Sequence, residues 1–159
     1  METNRVLPGR HTARIEGDFV VFVIGIRINK WRKVRRWVRP FFAMPAMLKE
    51  LRAHPEAGLL DARIMLGGRT FTLIQYWRSF DQLEKFAKNP DDLHLPAWRN
   101  FNRSVGSSGD VGVFHETYRV GPGDHESIYV NMPVVGLAAA GASIAVDTRT
   151  DTARRRLDT

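Results

Sequence analysis

Cysteine is absent from all 159 residues. Disulfide frameworks, thiolate metal sites, iron–sulfur clusters and a cysteine nucleophile are excluded with it. Histidine is scarce, at five, and no H-E-x-x-H or tight His/Asp/Glu triplet occurs, so a catalytic zinc site lacks ligands at the required spacing. The Gly-x-Ser-x-Gly elbow, the Gly-x-Gly-x-x-Gly fingerprint and the Gly-Lys-Ser/Thr phosphate loop are missing too. Long hydrophobic runs are few. The longest one near the C-terminus, residues 132–146, is broken by Pro133, Gly136 and Gly141 and falls short of the ~20 residues of a spanning helix. It reads as buried loop or strand. No leader peptide is expected, because residues 1–10 are polar and contain Pro8 and Gly9. The expectation is a cytoplasmic protein that spans no membrane.

The charge present is mostly basic: 24 Lys and Arg against 17 Asp and Glu, a net +7. Such an excess can mark a nucleic-acid surface. Here it is dispersed apart from residues 30–39 and 154–156, and no RNA- or DNA-binding motif accompanies it, so nucleic acid is not an expected partner. The segment WRKVRRWVR could lie on a membrane surface, but a solvated helix face is the simpler reading. The length suits one domain with one core.

Residues 18–29 (DFVVFVIGIRIN) are β-branched and aromatic almost throughout, which predicts a well-buried strand. From Lys30, apolar residues at Trp31, Val34, Trp37, Val38, Phe41 and Phe42 follow helical spacing, kinked or divided by Pro40 and Pro45 and ending near His54-Pro55. Two apolar runs, 59–66 and 69–77, flank Gly67-Gly68 and predict a β-hairpin. Ser79 caps a helix over 80–88, with Gln82 at the capping-box position. A second short helix is expected over 95–103, then strands over 111–120 and 126–131. Residues 147–159 are charged, lack periodicity and read as a disordered tail. The order is β-α-β-β-α-β with a C-terminal β extension. This is an α+β, ferredoxin-like antiparallel sheet with its helices on one face. Apolar side chains on both faces of the first strand call for a second copy to cover the other face, hence a homodimer.

Strand alternation puts Val113, His115, Thr117 and Arg119 on one face, and sets Tyr76 opposite Trp77. His115 could act as a base and Arg119 as an anion-binding group; an edge strand with solvated polar residues explains them equally well. His94, on the segment after the strand-ending Trp77, is placed to reach a pocket, or to cap its own short helix. Trp77 is a core residue before it is a cofactor wall. His11, His54 and His125 lie near turns and are expected to face solvent.

Five segments, MPAMLKEL, QYWRSFDQLEKFA, HLPAW, GVFHETY and YVNMP, resemble the monooxygenase-like family DUF4188, within the antibiotic-biosynthesis monooxygenase group of dimeric α+β barrels. The resemblance covers a domain from 11 to 146. It implies a monooxygenase that oxidises a small hydrophobic or aromatic substrate with O2 in a pocket between sheet and helices, without a cofactor. His94, His115 and Arg119 would then be catalytic, and Trp77, Arg78, Phe86 and Trp98 would bind substrate. Two alternatives accompany it. One is a haem enzyme, degrading haem or acting like an aldoxime dehydratase, with His94 as axial ligand. The other is a dimeric ligand-binding domain without catalysis.

Overall fold

A computed structural model of the chain describes residues 5–34, 38, 48–49, 51–88 and 108–158. Within them run seven strands: β1 (Leu7–Arg14), β2 (Phe19–Ile28), β3 (Leu59–Gly67), β4 (Thr70–Trp77), β5 (Val111–Val120), β6 (Tyr129–Met132) and β7 (Ala142–Ala145). Helices are α1 (Phe80–Lys88), α2 (Leu137–Ala140) and α3 (Ala153–Leu157), with a 3-10 turn at Pro55–Ala57. Residues 51–53 are helical as well.

The main sheet has four antiparallel strands in the order β3-β4-β2-β5. That is the order a β-α-β-β-α-β ferredoxin-like unit generates, with the first and third strands central. β2 can be central because ten residues without a proline bond on both sides, Phe19 to Ile28 against β5 and Val20 to Arg27 against β4. β3 and β4 form the expected hairpin. Its turn residues are Gly68 and Arg69, with Gly67 paired to Thr70 and Gly68 at φ +56°, a conformation that favours glycine.

Alternation divides the sheet into two faces. One carries Val20, Phe22 and Ile24 of β2 opposite Trp77, Gln75 and Leu73 of β4. Against it pack Leu48, Leu51 and, from α1, Leu83 and Phe86. Helix α1 starts as expected: Ser79 Oγ accepts the Gln82 backbone N–H at 3.2 Å. The Gln82 side chain lies over Gly58, where a Cβ would sit 2.4 Å from it, and Gly58 is at φ +90°. That backbone conformation favours glycine.

The opposite face carries Phe19, Val21, Val23, Ile74 and Tyr76. A second sheet, β6-β1-β7, lies outside the main one. β1 was not expected, and β7 falls within residues 132–146, read from the sequence as buried loop or strand. In β1 the register slips between Leu7 and Arg10, and Gly9 N–H donates to Asn131 Oδ1 at 2.9 Å. The C-terminal segment also departs from expectation. Residues 147–158, read as a disordered tail, turn through Asp147 and end in α3, capped by Thr152. Arg156 ties that helix to Glu126 at 2.8 Å. Described secondary structure thus runs from Leu7 to Leu157.

Candidate functional site

The helix-facing side of the sheet gathers aromatic and polar groups in three rows that cross the strands. The first row runs Leu59, Trp77, Val20, Arg119; the second Ala62, Gln75, Phe22, Thr117; the third Ile64, Leu73, Ile24, His115. Trp77 is fully buried and its ring lies 5.3 Å from that of Phe86. His115 meets Phe22 with ring centroids 5.8 Å apart. His115 and Arg119 stand two rows apart on one strand, a span of roughly 13 Å, so both touch one ligand only if it lies along β5. Both are exposed.

Other residues expected at the site are placed differently. Arg78 is exposed, and its Nη1 donates to the Glu16 carbonyl at 2.9 Å, which directs it to the loop between β1 and β2. His94 and Trp98 lie outside the described residues, and with them the axial ligand on which the haem alternative depends. Among the described residues, no three His, Asp or Glu side chains are grouped so as to hold a metal ion. No helix among them is long and apolar enough to cross a membrane. Of the histidines expected in solvent, His54 is exposed and bonded to Glu56 at 2.8 Å. His125 is not so placed: its ring meets Phe19 edge-on at 5.1 Å, and its Nδ1 is buried without a hydrogen-bond partner among the described residues.

One polar residue of this face escaped the sequence reading. Gln75, in the middle of β4, is 2% exposed, and its Oε1 accepts the Trp77 indole N–H at 2.7 Å. The signal was available. In TFTLIQYW the only long polar side chain shares alternation with Leu73 and Trp77, so it had to lie on the apolar face.

A second polar group sits on the far face, where α2 meets the sheet. A Cβ on Gly136 would lie 3.4 Å from the Tyr76 hydroxyl and 3.6 Å from that of Tyr129. Tyr129 Oη accepts the Ala138 N–H at 3.3 Å. Burial raises the Asp61 carboxyl above its ordinary value, against hydrogen bonds from Ala62 and Gly136 and the charges of Arg52 and Arg63. Burial, Tyr129 and Asp61 together push the Tyr76 hydroxyl up. Here the polar atoms hold the C-terminal extension to the sheet.

With the rows in place, comparison with known proteins is decisive for family. The family model described as Monooxygenase af470-like matches residues 19–137. The chain belongs to that family. Monooxygenase af470 of Aspergillus fumigatus is 32% identical over 148 residues, which cover 79% of this chain and 52% of the relative. This family member therefore spans about half the length of the curated relative it matches. Among solved structures, an aldoxime dehydratase in complex with butyraldoxime superposes with a TM-score of 0.67 at 19% identity, over 85% of this chain and 39% of that one. A second aldoxime dehydratase gives 0.63 at 16% identity, over 89% and 44%. At those identities the likeness establishes the α+β fold alone.

Proposed function

We propose that this af470-like protein is a monooxygenase of the antibiotic-biosynthesis type, a homodimer that oxidises a small hydrophobic or aromatic substrate with O2. The reading rests on the family match together with one observation: an aromatic pair, the buried Trp77 and the half-buried Phe86, stands on the same side of the sheet as Phe22 and its neighbour His115. An apolar wall suits a flat aromatic ring. An adjacent imidazole can take a phenolic or benzylic proton, worth about 10²- to 10⁴-fold in rate.

The chemistry needs no cofactor. Removal of a proton from an anthrone-like ring gives a conjugated enolate whose electrons add to O2, forming a carbon–oxygen bond. The O–O bond then breaks, one oxygen stays as a carbonyl, and the other leaves as water. The atoms balance: one ring methylene and one dioxygen become one ring carbonyl and one water. Arg119, at the end of the first row, supports the anion if the ligand lies along β5, and His94 is the second candidate base.

An oxygen electrode tests this with 1,8-dihydroxyanthrone. Protein-dependent uptake of one O2 per quinone formed is expected, reduced at least tenfold in His115→Ala. Uptake no faster than with heat-denatured protein, across this and simpler phenols, rejects the monooxygenase reading. Full activity in His115→Ala rejects His115 as the base.

A further inference from the structure

We propose that the Gln75 carboxamide is a ligand-binding donor: its NH2 group holds the oxygen of an aromatic phenolate or enolate on the helix-facing floor of the sheet. This deepens the monooxygenase reading and rests on it.

Gln75 is 2% exposed, and a buried carboxamide costs stability unless its polar atoms are paired. Half of that requirement is met by Trp77, whose indole N–H lies 2.7 Å from Oε1. The indole nitrogen can only donate, so the amide atom facing it must be the oxygen. Chemistry therefore settles the rotation of the amide. Oxygen turns toward Trp77 and both N–H groups turn away from it. The bond from Trp77 is the one hydrogen bond the Gln75 side chain makes among the described residues.

The neighbours on the floor do not answer that donor. Ala62 stands to one side and Phe22 to the other, and Leu73 is the next residue of β4 on this face. Thr117, in the same row, is two strands away, roughly 10 Å. A pair of amide donors ringed by Ala62, Phe22, Leu73 and Trp77 suits an acceptor-only oxygen attached to a flat apolar body. A phenolate or enolate fits that description, while a cation or a pure hydrocarbon does not. Leu48 packs on Ala62 and Leu73 at one side of the amide, and Trp77 serves both as wall and as the group that aims the donor. A fixed donor in a water-poor site stabilises developing negative charge without reorganising.

The test follows the ionisation of bound 1,8-dihydroxyanthrone by absorption against pH, in the absence of oxygen. Wild type is compared with Gln75→Leu and Gln75→Glu. Wild type is expected to lower the phenol's pKa relative to free ligand. Gln75→Leu raises the bound value by about 1 to 2 pH units, the worth of one hydrogen bond to an anion. Gln75→Glu keeps the shape and the acceptor for Trp77, loses the donor, and weakens phenolate binding more than tenfold. Should Gln75→Leu fail to fold, as judged by circular dichroism, the Glu variant carries the test alone. Binding by wild type with unchanged ionisation in the folded variants overturns the role of Gln75 and leaves the monooxygenase reading intact. No binding by wild type overturns both.

Discussion

At the Trp77 ring, packing and polarity depend on one another. Trp77→Phe keeps the aromatic contact with Phe86 but removes the N–H that pairs with Gln75 Oε1. An acceptor left unpaired in a buried site costs about 1–3 kcal/mol, and the smaller ring adds a cavity cost. Urea titration should show that loss with an unchanged slope. Restoring stability with Gln75→Leu in the Trp77→Phe background would confirm that the unpaired amide is the cause. Asp61 gives a second residue-level expectation, in pH. Its folded pKa is raised above the ordinary 3.8, chiefly by burial. The folded state thus binds the proton more tightly, and stability present below pH 3.8 is lost as pH rises through the folded value. Asp61→Asn removes that dependence and can still accept the Gly136 N–H. Its unfolding free energy should be flatter than wild type from about pH 3.5 upward. An identical pH profile in the two proteins would sink the assignment.

Among the elements, α3 shows how a short segment becomes ordered. Five residues cannot hold a helix alone in water. Thr152 caps it, Asp147 Oδ1 accepts the backbone N–H groups of Arg149 and Thr150, and Arg156 reaches both Glu126 and the Thr150 carbonyl. The Arg156 side chain is only 6% exposed. Arg156→Ala should cost about 1–3 kcal/mol and raise amide exchange over 153–157 while β2 and β4 stay protected. None of these tethers is local periodicity, which is why the segment reads as a tail from sequence. β1 is opaque for the same reason: LPGRHTAR alternates nothing, and its partners lie more than a hundred residues away. By contrast β2, the hairpin and α1 are legible, because continuous β-branched residues, a Gly-containing turn and a Ser cap each act through neighbours in the chain. The site divides likewise. Which face Trp77, Tyr76, His115 and Gln75 occupy follows from alternation, but the bond that pairs Gln75 with the Trp77 indole emerges only in the folded strand.

Over the whole molecule, the face turned away from the helices is covered unevenly. At one end His125 lies on Phe19, and α2, through Gly136, meets Tyr76. At the other end Met65 and Phe114 stand 48% and 38% exposed, on the two edge strands of the sheet. The Phe114 ring lies over Gly25, where a Cβ would come within 2.3 Å of it. Glycine at this point of a central strand lets an aromatic ring from the edge strand cover the backbone, at a cost in strand propensity. Met65, Ile74, Val23 and Phe114 bring apolar side chains from all four strands to this face, with Arg63 and Glu116 at its margins, and such a surface is the kind a second copy buries. The proposed homodimer should therefore use this face. Sedimentation equilibrium is expected to give the mass of two chains for wild type and of one chain for Phe114→Asp, with the far-ultraviolet spectrum unchanged. Gly25→Ala must push the Phe114 ring out of place, and should weaken association without adding any charge. A wild-type monomer at the highest attainable concentration would refute the dimer. A dimer that survives both substitutions would move its interface to the exposed residues Val130 and Met132 of the second sheet.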